Sequence, residues 1–424
     1  MLDRPPNRTV TVPGSKSHTN RALVCAALAF GTSTLTGVLF ADDTEAMMQL
    51  LSAVGVAIEV DRAEHRVTVT GVDGVVPPHS GVLDARQSGT TSRFALPLLA
   101  LGQGRYILDG HEQMRVRPFD DLVDALATLG ARVEGATLPM TVFGGGRFSG
   151  GAVEIPGSVS SQFLSGLLLS APYAIEPVHV QITGELVSKP YVDLTLATME
   201  SFGVRVDRDG YRRFTVPNHG YGAADLAIEP DASAASYFFA AAAITGGRVR
   251  VEGLGRGTIQ GDLRFVEILE QMGADVVRSE GATVVRGTGT LRGVDVDMAD
   301  ISDTAQSLAV VAPFADGPVR VTGIGFIRKK ETDRIAAVVT ELRRLGIDAT
   351  EDADGFTVYP GFPRPATIET YDDHRMAMSF AVLGLLAPGI EIADPDCVAK
   401  TFPDFFTVLD TLRSTDSQEA VSGS

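Results

Sequence analysis

The sequence predicts an α/β protein of two similar domains, and three observations carry that expectation. Glycines recur at Gly55, Gly130, Gly203, Gly273 and Gly346, in steps of 75, 73, 70 and 73 residues. Polar, cap-forming residues open apolar helices with the same period, at Ser17, Thr90, Ser161, Asp231, Asp303 and Asp373, in steps of 73, 71, 70, 72 and 70. Finally, 424 residues exceed what one hydrophobic core keeps compact, so six such units divide most naturally as three plus three.

The elements follow in chain order. The N-terminal RTVTVPG reads as a strand, and PGSKSHTNRA then leads straight into the apolar helical run LVCAALAF. Further helices open at SGTTSRFALPLLALG, VSSQFLSGLLLSA, PDASAASYFFAAAAI, SDTAQSLAVVAPF and DDHRMAMSFAVLGLL. Between them lies a second, amphipathic set that ends in the periodic glycines: LSAVGVAIEV, LATLGARVEG, MESFGVRVDR, LEQMGADVVR and LRRLGIDATE. Gly just past a helix is what a left-handed C-cap requires. The stretches beyond it (RVTVTG, MTVFGG, RFTVPN, TVVRG, FTVYPG) alternate as half-buried antiparallel strands do. The last helix, PDFFTVLDTL, has no strands after it, so the N-terminal strand supplies a missing one and the two chain ends meet. The expected domains are therefore 15–228, and 1–14 together with 229–413; the tail 414–424, STDSQEAVSGS, lacks apolar periodicity and is expected to be disordered.

Composition narrows the function. A net charge of −17 argues against a nucleic-acid surface. No apolar run approaches the ~18–20 residues of a membrane span, and MLDRPPNRTV is not signal-like. Cys25 and Cys397 alone make no disulfide framework, which fits a reducing cytoplasm. Scattered histidines give no metal-ligand spacing, and no G-x-S-x-G elbow is present. The acidic surface, with no sequence signal for an interface, makes a monomer the expectation.

The cations are unevenly chosen. Of 36 Lys and Arg residues only Lys16, Lys189, Lys329, Lys330 and Lys400 are lysines, so Lys is retained where a compact ammonium that can share a proton has a use. Five segments combine cations with acids or hydroxyls: PGSKSHTNR; HEQMRVRPFDDL, with Arg115 and Arg117; SVSSQF with LVSKPY; RKKETDR; and DDHRMAM with AKTFPDFF. The first resembles a phosphate loop without being a Walker A motif, because Ser15 and not Gly precedes Lys16. If equivalent helices present their N-termini alike, two facing domains enclose a cleft suited to a polyanion. Each segment also has an ordinary reading: N-caps for the hydroxyls, an i,i+3 surface salt bridge for Glu331 and Arg334, a core histidine for His374.

Taken together, PGSKSHTNRALVCAALA, SGTTSRF, RVRPFDDLVDAL, SVSSQFLSGLLLSAP, VSKPYVDLTL, EPDASAASYFFAAAAI, QGDLRFVEIL, RKKETDR, YDDHRMAM and CVAKTFPDFF resemble, in order from Pro13 to Phe406, the EPSP synthase family of enolpyruvyl transferases. The resemblance implies an inside-out α/β barrel in each domain, built from three βαβαββ units. It also implies transfer of an enolpyruvyl group from phosphoenolpyruvate to the 5-hydroxyl of shikimate 3-phosphate, with no metal or organic cofactor, through a tetrahedral intermediate and with domain closure on binding. By motif, Ser17, Arg21, Ser160, Ser161, Gln162, Ser188 and Tyr191 resemble the shikimate 3-phosphate contacts, joined by Asp303 and Lys330. Lys16, Gly89, Arg117, Gln162, Arg334, Arg375 and Lys400 resemble the phosphoenolpyruvate contacts, and Lys16 lies between the two substrates. Asp303 resembles the carboxylate that takes the hydroxyl proton, and Glu331, beside Lys330, the group that protonates and deprotonates C3.

Two departures stand out. Gln87-Ser88 precede Gly89 where many members have Asn-Ala, and Phe326 stands where some carry an Asn that contacts the shikimate ligand, so Phe326 is left out of the expected site. The sister enzyme acting on UDP-N-acetylglucosamine carries a reactive Cys before the second unit's arginine-proline helix; GHEQMRVRP has none, and Cys25 reads as core. A non-catalytic anion-binding repeat protein is the other alternative, and it would have no use for Asp303 and Glu331.

Overall fold

The computed structural model describes residues 4–413, and the tail 414–424 lies outside them. By internal contacts the chain divides into Gly14–Glu229, and Met1–Pro13 with Pro230–Ser424.

In Gly14–Glu229 three helices, Lys16–Leu28, Gly89–Ala100 and Ser161–Ser170, are buried along almost their whole length. A helix apolar on all sides has no face for water and must be enclosed. Three four-stranded sheets enclose these, all of one pattern: an edge strand parallel to its neighbour, then two antiparallel strands. Val82–Asp84 lies beside Gln103–Asp109, followed by Met140–Gly145 and Arg132–Glu134. Gly151–Pro156 likewise lies beside Val178–Thr183, followed by Arg213–Val216 and Asp207–Asp209. The first sheet, Thr32–Thr36 with Arg66–Thr70 and Ala57–Asp61, takes its edge strand from the far end of the unit, Asp225–Ala227. The unit therefore closes on itself. Its central helices meet backbone to backbone: a Cβ on Gly166 would stand 2.5 Å from the Arg93 carbonyl oxygen, so only Gly fits there.

The second unit repeats the plan around Ala232–Thr245, Ala305–Val311 and His374–Leu383. Asn7–Val10 pairs in parallel with Arg248–Glu252, completing a sheet with Ala282–Arg286 and Asp275–Arg278. This is the missing strand that the repeat count calls for. The chain ends do meet, since Arg8 Nε donates to the Thr411 carbonyl at 3.1 Å. Asp295–Asp297, Val319–Thr322, Phe356–Val358 and Ala349–Glu351 form the next sheet. The last has two strands, Ala366–Ile368 and Ile390–Ile392, because the chain turns instead into the helix Phe405–Thr411. The rings of Tyr237, Phe238, Phe402, Phe405 and Phe406, with centroids 5.3 to 6.1 Å apart, bind that helix to the core.

The five periodic glycines have φ between +76° and +108°, the left-handed conformation expected of them. The helix openings need a correction. Ser15 and Ser88, not Ser17 and Thr90, cap their helices, accepting from His18 N at 3.4 Å and Thr91 N at 3.1 Å. Ser160, not Ser161, does so for its own, accepting from Gln162 N at 3.2 Å. The periodic hydroxyls fall inside the first turn because an N-cap precedes the first helical residue. Asp303 does not cap at all: it lies in the tight turn Ser302–Thr304, and its carboxylate goes to cations. No helix of the described residues is long and apolar enough to cross a membrane.

Candidate active site

Each unit gathers polar residues at the N-terminal ends of its central helices. In Gly14–Glu229 Lys16 opens the first helix, and its ammonium lies 3.2 Å from the buried carboxylate of Asp43. Gly89 opens the second, walled in so closely that a Cβ there would stand 3.1 Å from Arg117 Nη1, 3.2 Å from Arg93 Nη1 and 3.6 Å from Gln162 Oε1. Arg93 donates to Gln162 Oε1 at 2.6 Å, and the Phe119 and Phe163 rings flank its guanidinium at 5.6 and 5.1 Å. Arg117 is 6% exposed, and its Nε donates to no described protein atom. A buried donor without an acceptor is costly, which makes this arginine a candidate for binding an anion.

Ser161 is buried beside Ser160 and Gln162. Ser188, also buried, takes the left-handed conformation (φ 54°, ψ 44°) and introduces the helix Lys189–Ser201, whose third residue is Tyr191. Arg21 is not an open arm. Its Nε donates to Thr195 Oγ1, its Nη2 to Ser165 Oγ and the Tyr191 carbonyl, and one Nη1 hydrogen to the Ser17 carbonyl. It is 1% exposed, and burial lowers its pKa to about 10. Four of its five donor hydrogens are thus taken within the fold. Ser17 lies one turn before it on the same helix.

The second unit's cluster is built of interlocked opposite charges. Asp303 accepts from three cations: Lys330 Nζ at 2.5 Å, Arg334 Nη1 at 3.3 Å and Arg375 Nη2 at 2.7 Å. Arg334, first residue of the helix Arg334–Arg344, also donates Nε and Nη2 to Asp373 at 2.7 and 3.2 Å, and its Nη2 lies 2.7 Å from Glu331 Oε2. Burial works against the Arg334 charge, but Asp373, Glu331 and Asp303 outweigh it and its pKa rises. Burial pulls the Lys330 ammonium below its usual range, with Asp303 acting the other way. Arg334 and Asp373 are 1% and 0% exposed, so removing one partner alone costs about 3–5 kcal/mol.

The surface salt-bridge reading of Glu331 and Arg334 thus fails on burial, although the i,i+3 pair itself is present. Asp373 caps the His374–Leu383 helix through Arg375 N at 2.9 Å, and Arg375 Nη1 reaches Tyr237 OH at 3.3 Å. Lys400, 4% exposed, ends the turn Pro395–Lys400 packed on that helix. The Phe326 ring, left out of the expected site, lies 5.6 Å from Lys330 Nζ.

Sequence reasoning passed over Asp43, Arg93 and Asp373. Arg93 was within reach, lying one helical turn after Gly89 in SGTTSRF. Asp373 is the second acid of YDDHR, hidden by its reading as a cap alone, and Asp43 had no local signal, since Lys16 finds it across the fold.

A family model described as EPSP synthase (3-phosphoshikimate 1-carboxyvinyltransferase) matches residues 4–409. The 3-phosphoshikimate 1-carboxyvinyltransferase of Trichormus variabilis is 47% identical over 411 residues, covering 96% of each chain. That of Serratia proteamaculans is 45% identical over 410 residues, covering 95% of each. A solved EPSP synthase from Acinetobacter baumannii superposes with a TM-score of 0.82 at 28% identity, over 96% of each chain.

Proposed function

The chain belongs to the EPSP synthase family, the 3-phosphoshikimate 1-carboxyvinyltransferases, and on that premise we propose how its own residues perform the reaction. It transfers the enolpyruvyl group of phosphoenolpyruvate to the 5-hydroxyl of shikimate 3-phosphate and releases inorganic phosphate. The observation that carries the residue assignment is the carboxylate of Asp303 held among Lys330, Arg334 and Arg375.

Arg117, Arg334, Arg375, Lys400 and Gln162 bind the carboxylate and phosphate of phosphoenolpyruvate, with Gly89 leaving room for it. Ser17, Arg21, Ser160, Ser161, Ser188, Tyr191 and Lys330 hold shikimate 3-phosphate. Anionic phosphoenolpyruvate engages Arg334 and Arg375, which otherwise occupy the Asp303 oxygens, and so frees that carboxylate to work as a base. Asp303 then takes the proton of the 5-hydroxyl as its oxygen bonds to C2 of phosphoenolpyruvate. Glu331 delivers a proton to C3, completing a tetrahedral adduct whose developing charge Lys16 stabilises. In the second half a proton returns from C3 to Glu331, the double bond reforms, the C2–O bond to phosphate breaks, and the departing phosphate oxygen takes up the proton held by Asp303, so both acids return to their starting states.

The UDP-N-acetylglucosamine alternative is not favoured. Cys25 is fully buried in the Lys16–Leu28 helix, and burial pushes its thiol up to about 12, far from a reactive thiolate. Two free cysteines support a cytoplasmic location. Phosphate release from phosphoenolpyruvate with either acceptor tests the assignment. Release is expected with shikimate 3-phosphate alone and lost in Lys16→Ala; release with UDP-N-acetylglucosamine, or with neither, would overturn it.

A further inference from the structure

The backbone just before Asp373 is unusual. Tyr371 and Asp372 both lie in the left-handed region, at φ 56° and 54°, although neither is glycine. Two successive residues of this kind persist only where their surroundings hold them, and such strain collects at functional sites. Here the holding groups lie on one helix.

Arg334–Arg344 carries Arg334 at its first position and Glu341 seven residues later, two turns along and on the same face. Arg334 grips Asp373 at one end of the segment 369–373. Glu341 grips the other end. Its Oε2 accepts from the backbone N–H of Glu369 at 3.1 Å, and its Oε1 accepts from the Tyr371 hydroxyl at 2.7 Å. Arg344 completes the carboxylate, donating Nε and Nη2 at 2.8 and 3.2 Å. The Glu341 side chain is 0% exposed, and every contact named for it is a directed hydrogen bond. Burial, then the Glu341 carboxylate, raise the Tyr371 pKa to about 12, so its hydroxyl stays protonated and donating.

We propose that Glu341 and Tyr371 are positioning residues for phosphoenolpyruvate binding: they clamp the strained turn at Tyr371-Asp372, which fixes Asp373 and through it the guanidinium of Arg334 and the start of the helix bearing Arg375. The inference rests on the assignment of Arg334 and Arg375 to phosphoenolpyruvate. Neither Glu341 nor Tyr371 touches a reacting atom. Their loss misplaces the two arginines and leaves the cluster of the other unit untouched.

The test compares Tyr371→Phe, Glu341→Gln and Asp372→Gly in steady-state phosphate release. Tyr371→Phe removes only one hydroxyl from a partly exposed ring, so it carries the test if Glu341→Gln fails to fold. The KM for phosphoenolpyruvate is expected to rise about tenfold, the low end of what removing an outer partner of a ligand-holding side chain does. The KM for shikimate 3-phosphate and kcat should stay within about twofold, a split that general destabilisation does not produce. Asp372→Gly accepts the left-handed backbone without strain, leaves the clamp in place and should keep wild-type constants.

Amide exchange across Glu369–Arg375 reads the clamp without turnover, and is expected to quicken in Tyr371→Phe. If the wild type turned over and Tyr371→Phe matched it in both KM and exchange, the clamp would be refuted with the assigned reaction intact. Quickened exchange in a wild-type background that releases no phosphate would instead refute the reaction and keep the clamp.

Discussion

The two units share a plan and differ in how they treat charge. Both enclose three buried helices in parallel-edged sheets, and both gather side chains from the N-terminal ends of those helices. In Gly14–Glu229 the gathered groups are mainly hydroxyls, an amide and arginines, with Arg93 held by Gln162 and two phenyl rings and Lys16 beside the carboxylate of Asp43. In the other unit Lys330, Arg334 and Arg375 share the carboxylate of Asp303, and Arg334 also meets Glu331 and Asp373. On the roles proposed above, the first unit would serve as a receptor for anions and the second as a set of acids and bases already in contact, so one fold would support binding in one copy and proton transfer in the other.

Substituting the acid at the centre of the second cluster should do the most damage. Asp303→Asn keeps the shape but removes the base and the shared counter-charge of three cations. We expect kcat to fall about 10³-fold, within the 10²–10⁴ range of a positioned general base. Circular dichroism should be unchanged, and phosphoenolpyruvate should bind no more weakly. A loss below tenfold would mean that the hydroxyl proton does not go to Asp303, and the contrast between the units would rest on Glu331 alone.

The next effect concerns acid stability and a buried histidine of the first unit. His18, in the first turn of the Lys16–Leu28 helix, is buried, its Nδ1 accepts from Glu229 N at 3.5 Å, and its pKa is lowered from 6.5 to about 4 by burial and then by Arg21. The folded chain thus holds it neutral while the unfolded chain takes up a proton below about 6.5. Its contribution to stability is whole above that pH, declines as pH falls, and is lost by about pH 4, a change of about 3 kcal/mol from this one group. His18→Asn retains an acceptor for Glu229 N and cannot titrate. Urea midpoints measured from pH 7 to 4 should therefore fall more steeply for the wild type than for the variant, and parallel curves would remove His18 from the account.

How much of this was legible in the sequence follows from the range of each interaction. The periodic glycines announced their left-handed turns because φ > 0 is a local demand that few other residues meet. The missing strand followed from counting, and Asn7–Val10 fills it. The caps were misread by a residue or two because Ser15, Ser17, Ser88, Thr90, Ser160 and Ser161 are chemically alike, and only geometry tells which oxygen faces the free N–H groups. Arg21 illustrates the opposite limit: nothing beside it in PGSKSHTNRA shows that Thr195, Ser165 and the Tyr191 carbonyl, more than 140 residues away, occupy most of its donors. Asp373 and Glu341 escaped for the same reason, since a residue that acts by holding another has no motif of its own.

The smallest effect tests the receptor half by adding one methyl group. Gly89 has no Cβ, and one built there would stand 3.1 and 3.2 Å from the Nη1 atoms of Arg117 and Arg93. Those contacts are tight but fall on side-chain ends and not on backbone, so the arginines yield by a few tenths of an ångström and the fold survives. Since Gly89 lies at an ordinary helical start, Gly89→Ala should leave thermal stability unchanged or slightly raised, Ala being the better helix former. The cost falls on the ligand that shares the space: the KM for phosphoenolpyruvate should rise about tenfold, roughly 1.4 kcal/mol, with kcat and the KM for shikimate 3-phosphate little altered. The outcome that would count against the receptor reading is a fall in kcat with an unchanged KM. A methyl group cannot abstract or supply a proton, so that result would place the chemical step beside Gly89 and give the first unit the role assigned above to Asp303 and Glu331.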